Sequence, residues 1–160
     1  MYITYAEYTA LYDDLEEKAF NRLVYDACVH MDNLTTGVDG VKKLQVAFPK
    51  NEADSLAVKR CAASVVYILS QVNEAEKSAS IGRAYKMTPN GLKGGVIASV
   101  TAGNESVTYT SGTQTPIDMA ANNPAEKCAL IAAEIRRYLS GVSDANGVSL
   151  LYLGRYPVKG

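Results

Sequence analysis

The sequence predicts a mainly α-helical fold: a small bundle of about four helices with an inserted β-hairpin and an extended C-terminal tail. Apolar residues recur at three- and four-residue intervals over most of the chain, which is the helical period. The period changes to alternation only around residues 96–110, and residues 146–160 are apolar and aromatic without a helical period. A length of 160 residues suits one domain, so we expect a single domain over 1–160.

Two helices are predicted in the first quarter of the chain. The first carries apolar residues at helical spacing, with Thr4 as its N-cap and Glu7 completing a capping box. The second ends near Asn33, and we expect the connector over 37–49 to pack its apolar side chains over the core. The apolar residues are Tyr5, Tyr8, Leu11, Tyr12 and Leu15 in the first helix, Phe20, Leu23, Val24, Ala27, Cys28 and Met31 in the second, and Leu44, Val46 and Phe48 in the connector.

Two further helices are predicted on either side of the alternating segment. Asn51 caps the central helix, and Asn123 with Pro124 begins the last one, which stops at Gly141. The central helix has a broad apolar face, formed by Leu56, Ala63, Val66, Tyr67, Leu69 and Val72.

The β-hairpin is predicted at about 92–112. Gly103 and Asn104 lie between two alternating runs, which is a signal for a tight hairpin turn. A lone hairpin is only marginally stable, so we expect this one to pair with a neighbouring molecule. The interface residues predicted on it are Val96, Ile97, Val100, Gly103, Asn104, Val107 and Tyr109.

The tail, at about 146–160, is too apolar to stay in water. Two surfaces could cover the tail: the bundle of its own subunit, or a groove or sheet edge on a partner. We favour the partner, because Asp144–Gly147 resembles a flexible hinge and the apolar run suits a strand covered on both faces. The interface residues predicted on the tail are Leu150, Leu151, Tyr152, Leu153 and Tyr156.

Charge and cysteine usage restrict the classes of function. Sixteen basic and seventeen acidic side chains give a net charge of -1, so duplex DNA is a poor candidate for a tight ligand. Cys28, Cys61 and Cys128 are widely spaced, and we expect buried thiols in a reducing cytoplasm. Neither an export signal nor a run of about 20 apolar residues is visible, so no membrane partner is expected.

Catalytic patterns are also missing from the sequence. The only imidazole is His30, and no nucleophile–histidine pair can be assembled without it. The acidic cluster at 13–17 lacks metal-ligand spacing, and the glycines at 91–95 lack the lysine and serine of a phosphate loop. We therefore expect no catalytic residues, no metal and no cofactor. Eleven tyrosines with no tryptophan favour an interface, with a base-stacking platform as the weaker alternative.

The whole pattern resembles the head-tail connector (adaptor) proteins of tailed phages and prophages with long non-contractile tails. The resemblance rests on the opening MYITYAEYTALYDDLEEKAFNRLVYDACVHMDNLTTG, the segment GVIASVTAGNESVTY and the ending YLSGVSDANGVSLLYLGRYPV. It implies a subunit made in the bacterial cytoplasm that joins a twelve-fold ring in the virion neck. The ring would lie under the portal protein, extend the channel through which DNA passes as cargo, and dock the next neck or tail protein.

Two other functions stay open. A small helical DNA-binding protein involved in packaging would need a basic face, and the pairs Lys42–Lys43, Lys59–Arg60 and Arg136–Arg137 are scattered. A hydrolase or transferase would need a general base from carboxylates that have no visible partner.

Overall fold

The computed structural model describes residues 1–84, 99–102, 105–108 and 115–157, with side chains left out at 79–84 and in the two strands. It is mainly helical, as predicted. The elements are α1 (Tyr5–Thr9), α2 (Glu17–Thr35), α3 (Lys43–Val46), α4 (Glu52–Ala84), β1 (Ser99–Ala102), β2 (Glu105–Thr108), α5 (Pro116–Asn122) and α6 (Pro124–Leu139). Contacts divide the chain into two compact units, one formed by 1–70 with 128–160 and the other by 71–127. The prediction of one domain stays a prediction.

The predicted start of α1 is confirmed, whereas its length is not. The Thr4 hydroxyl accepts a hydrogen bond from the Glu7 amide at 3.3 Å, and the Glu7 carboxylate accepts one from the Thr4 amide at 2.9 Å. The helix ends at Thr9, so Leu11 lies outside it and is half exposed. The Tyr8 hydroxyl donates to Asp14 at 2.6 Å, which holds the chain in a turn after the helix.

The apolar face predicted for α2 is confirmed by the burial of Phe20, Val24, Ala27 and Met31. The helix continues two residues past its predicted end to Thr35, whose hydroxyl donates to the Met31 carbonyl at 2.9 Å. At this end the Thr36 hydroxyl donates to the Asp32 carbonyl at 2.6 Å, which satisfies one of the last four carbonyls of the helix.

The connector contains the short helix α3. Leu44 is buried as expected, but Val46 is 66% exposed, so the prediction that Val46 packs on the core is wrong. A single helical turn can direct only one side inward, and here that side carries Lys43 and Leu44.

Helix α4 begins as predicted, with the Asn51 side chain accepting a hydrogen bond from the Ala53 amide at 3.1 Å. All residues from Cys61 to Val66 are buried, so the helix is covered around its circumference there. Leu56 is largely exposed, which contradicts its predicted place on the core face.

The boundaries of α6 are also confirmed. Asn123 accepts a hydrogen bond from the Ala125 amide at 3.0 Å, Pro124 occupies the first position, and the helix is followed by Gly141 in the left-handed conformation at φ +79°. Helix α5 was not predicted, although Thr115 and Asp118 form a capping box ahead of it.

Strands β1 and β2 pair in antiparallel register, with Val100 opposite Val107 and Ala102 opposite Glu105. The remainder of the predicted hairpin, residues 92–98, 103–104 and 109–112, lies outside the described residues. The inserted hairpin as a part of the fold therefore stays a prediction.

The first unit has one continuous apolar core. It is formed by α2, α4 and α6 with the N-terminal segment and the end of the chain, through buried residues that include Ile3, Tyr8, Phe20, Met31, Leu44, Val58, Val65, Ile131, Ile135, Leu139 and Leu150. Among the helices of the described residues, none is both long enough and apolar enough to cross a membrane.

Candidate functional site

Lys43 holds the end of the chain on its own subunit. Its side chain is fully buried, and its ammonium donates to the main-chain carbonyls of Ser149 at 3.3 Å, Leu150 at 3.1 Å and Tyr152. Burial lowers the pKa of Lys43, while the charges of Asp144 and Asp39 oppose that shift. We call residues 149–157 the C-terminal segment.

Tyr156 fastens the far end of the C-terminal segment. Its amide donates to the Asp39 carboxylate at 2.6 Å, and its hydroxyl donates to the Asp144 carboxylate and accepts from the Asn146 amide group at 2.8 Å. Burial is the main cause that raises the pKa of Tyr156, and the hydrogen bond to Asp144 adds to it.

The prediction that a partner covers the tail is wrong for Leu150 and Tyr156, which are buried in their own subunit. The predicted hinge is in fact a tight turn. The Asp144 amide donates to the Val148 carbonyl at 2.8 Å, and Gly147 has a φ of +79°. Because the turn reverses the chain, the segment after it returns to the core.

Three tail residues of the predicted interface are less buried than Leu150 and Tyr156. Leu151 is half-buried against the core, whereas Tyr152 is 51% and Leu153 58% exposed. Their place in an interface stays a prediction. On the hairpin, Val100 and Val107 are register partners in the strand pair, and Val96, Ile97, Gly103, Asn104 and Tyr109 lie outside the described residues.

A second exposed apolar surface is an open groove of about 870 Å³, which we call the N-terminal groove. The rings of Tyr2 and Phe48 stack at 6.0 Å in its wall. Tyr25 and Val29 lie one turn apart on α2 and reach the rim, where Tyr25 is 72% exposed. An exposed aromatic and aliphatic surface of this kind is typical of a protein contact.

A buried carboxylate lies at one end of the groove. Asp32 accepts hydrogen bonds from the Tyr2 hydroxyl and from the Gln45 side chain, so its charge is satisfied inside the subunit. Burial, followed by the hydrogen bond to Asp32, raises the pKa of Tyr2. These bonds fix the N-terminal segment against α2 and α3. Sequence reasoning missed the three residues, since positions 2, 32 and 45 share no spacing that would relate them.

Two lysines line the groove at its edge. Lys59 forms an ion pair with Glu7 at 2.6 Å. The Lys42 side chain forms no hydrogen bond or ion pair with another described residue, although its main-chain carbonyl accepts from the Gln45 and Val46 amides. The edge therefore presents one positive charge that no described residue compensates.

The three cysteines differ in exposure. Cys61 is buried, which raises its pKa to about 12. Cys28 is half-buried in the wall of the N-terminal groove, and burial raises its pKa as well. Cys128 is exposed, so the prediction of a buried thiol is wrong there: at the start of α6 its side chain lines a small open pocket at the surface beside Leu34 and Ile131. Within the described residues, no three His, Cys, Asp or Glu side chains are grouped to hold a metal ion.

Part of the tyrosine enrichment is used inside the subunit. Tyr8 is buried, and its ring lies 5.5 Å from that of Tyr12, which stacks on Tyr67 at 4.7 Å. The expectation that tyrosines serve a contact surface therefore applies to Tyr25 and Tyr152, whose rings are mostly exposed.

No family model matches the chain, and searches of curated proteins and of solved structures find no significant match. Inferences about function therefore rest on the two exposed surfaces of the first unit, the N-terminal groove and the pair Tyr152–Leu153.

Proposed function

We propose that this chain is a head-tail connector subunit of a tailed phage. It would join a twelve-fold ring under the portal protein in the virion neck, line the channel through which DNA leaves, and dock the next neck or tail protein. The observation that carries the proposal is the presence, on one helical unit, of two separate exposed apolar surfaces, the N-terminal groove and the pair Tyr152–Leu153. A subunit inside a ring needs at least two contact surfaces.

The chemistry of these surfaces supports a protein partner. Both combine tyrosine with aliphatic side chains and have charged residues at their borders, which suits a protein interface with an apolar centre and a polar rim. The resemblance of the sequence to connector proteins supports the neck of the virion as the place where the subunit assembles. The described structure offers the binding chemistry for such a role, and the proposed subunit is not an enzyme.

The inserted hairpin is part of the same proposal. We expect the segment around Val96–Tyr109 to lie in or near the contact between subunits. Deleting Gly95–Ser111 and closing the gap with a short linker should leave the helical circular dichroism nearly intact and abolish assembly onto particles. Normal infectious particles made with this deletion would contradict a role for the hairpin.

DNA binding, the alternative, is less well supported by the surroundings of the basic residues. Lys43 of the first basic pair is buried, and Lys59 of the second is paired with Glu7. Both are therefore unsuited to phosphate contacts. A gel shift with duplex DNA at several salt concentrations separates the two functions, since tight and strongly salt-dependent binding would favour the alternative.

Deletion of the gene from the phage or prophage that encodes the chain tests the proposal directly. We expect DNA-filled heads and separate tails, with joining restored by the wild-type chain supplied from a plasmid. In restored particles that carry a tagged chain, gold-labelled antibody should mark the neck. Normal tailed particles from the deletion would refute the connector function.

A further inference from the structure

We propose that the N-terminal groove of one subunit receives Tyr152 and Leu153 of a second copy of the same chain. The inference rests on the proposed connector function and specifies the surfaces through which neighbouring subunits meet. It is carried by the rigid presentation of Tyr152 and Leu153, by the aromatic groove that stays open among the described residues, and by the charges that border each surface.

The C-terminal segment presents Tyr152 and Leu153 in a fixed position. The Lys43 ammonium binds the Tyr152 carbonyl, and the Val38 amide donates to the Leu153 carbonyl at 2.9 Å. The Tyr152 ring lies over the same ammonium at 5.7 Å. With the main chain held at both residues, the two side chains can enter a partner without the entropic cost of ordering a loose tail.

The N-terminal groove has the chemistry to accept these side chains. The stacked rings of Tyr2 and Phe48 offer an aromatic wall, and the exposed side chain of Val29 offers aliphatic surface. The buried Asp32 is already hydrogen bonded, so an apolar occupant would leave no unpaired carboxylate behind it. The open volume of about 870 Å³ is ample for one tyrosine and one leucine side chain.

The charges beside the two surfaces are complementary. Asp39 is exposed next to Leu153, and the hydrogen bond from the Tyr156 amide is the main cause that lowers its pKa, so the carboxylate is ionised at neutral pH. Lys42 at the groove edge is the positive charge that no ion pair among the described residues compensates. An Asp39–Lys42 pair between copies would give Lys42 an opposite charge and help to set the register of the contact.

The same charge argument disfavours another part of the chain as the occupant. Residues 85–98 contain Lys86 and Lys93 and no acidic residue. Placing them in the groove would bring like charges to Lys42. The C-terminal segment of a second copy is therefore the better match.

Sedimentation of the purified full chain over a range of concentrations tests this contact. The wild type should self-associate, and two double variants should each weaken association at least tenfold: Tyr152→Ser with Leu153→Ser, and Tyr25→Ser with Val29→Ser. Leu11→Ser is the matched control, because Leu11 is 50% exposed and lies outside both surfaces, and it should associate like the wild type. Circular dichroism and melting establish that each variant is folded.

Mixing the two double variants gives a sharper result. One retains an intact groove and the other an intact Tyr152–Leu153 pair, so the mixture should form a heterodimer through one native contact. A wild type that stays monomeric up to about 1 mM, or a mixture that does not associate, would overturn the inference.

Thiol labelling locates the contact independently. Cys28 lies in the groove, whereas Cys128 is exposed outside it. As concentration rises, Cys28 should become protected from a maleimide reagent while Cys128 keeps its reactivity, and the Tyr152→Ser, Leu153→Ser variant should lose the protection. Association without protection of Cys28 would place the contact elsewhere and overturn the inference.

The two proposals fail in different ways. If the variants lose self-association and still support normal particles, the groove contact is not used in the virion and the inference falls, while the connector function stands. If deletion of the gene leaves tailed particles intact, the connector function falls whatever the result of sedimentation.

Discussion

The ammonium of Lys43 lies 3.1 Å from the carbonyl oxygen of Leu150, 107 residues later in the chain. This contact closes the first unit by joining the short helix α3 to the C-terminal segment. A buried ammonium needs partners to offset its lost hydration, and the carbonyls of Ser149, Leu150 and Tyr152 supply them. Lys43 therefore has a structural role, although its neighbour Lys42 is exposed.

Replacing Lys43 with methionine should lower the free energy of unfolding by about 2–4 kcal/mol, because buried carbonyl oxygens lose a charged donor. Urea denaturation followed by circular dichroism measures the change. Lys42→Met is the control and should stay within about 0.5 kcal/mol of the wild type. Equal effects of the two substitutions would show that the buried ammonium contributes nothing to stability.

Leu150→Ala should cost about 2–5 kcal/mol, since it opens a cavity at a fully buried position. Leu153→Ala, three residues later on the exposed side of the segment, should change stability by less than about 0.5 kcal/mol. Denaturant midpoints of the two variants test this difference. Truncation after Gly147 should likewise lower the melting temperature strongly, because it removes both Leu150 and Tyr156; an unchanged melting temperature would contradict the structure.

Glu7 should give the protein an acid-sensitive contribution to stability. The hydrogen bond with Lys59 is the main cause that lowers the pKa of Glu7 to about 2, from an ordinary value of 4.5. A carboxylate whose pKa is lowered by folding stabilises the fold at pH values above its unfolded-state pKa. That contribution is lost as pH falls from 4.5 through 2.

Glu7→Gln should therefore flatten the pH dependence of unfolding in that window, which denaturation at a series of pH values would measure. Its cost at pH 7 should be at most about 1 kcal/mol, because the pair is more than one third exposed and solvent screens it. Unchanged pH dependence in the variant would exclude Glu7 as the source.

Tyr2 and Tyr8 should resist ionisation at high pH. Burial is the main cause that raises both pKa values, and the hydrogen bonds to Asp32 and Asp14 raise them further. A tyrosine whose pKa is raised by folding stabilises the fold fully up to pH 10, which is the ordinary pKa of a phenol. That stabilisation is lost as pH rises further.

An absorbance titration at alkaline pH should consequently show at least these two tyrosines ionising together with loss of the helical circular dichroism. Tyr2→Phe should remove one of them from that step. Full ionisation of all tyrosines while the helices remain intact would contradict the burial of these phenols.

Local chemistry in the sequence determined much of the helical framework. The capping box of Thr4 and Glu7, the caps at Asn51 and Asn123, Pro124 at a first helical position and Gly141 after α6 are all where the sequence predicts them. Each depends on residues no more than about four positions apart, so short-range rules are sufficient. The end of α1 and the existence of α5 were missed, because competing signals for turns lie beside the caps.

Only the tertiary structure decided where the tail lies and how the candidate surfaces are built. The apolar character of residues 150–156 predicts that they are buried, but it does not show whether the subunit's own core or a partner covers them. That they pack on their own subunit depends on Lys43, Asp39 and Asp144. The N-terminal groove likewise depends on Tyr2, Asp32 and Gln45. These partners are separated by 12 to 117 residues, and a hydrogen bond between distant residues leaves no periodic signal in the sequence that contains them.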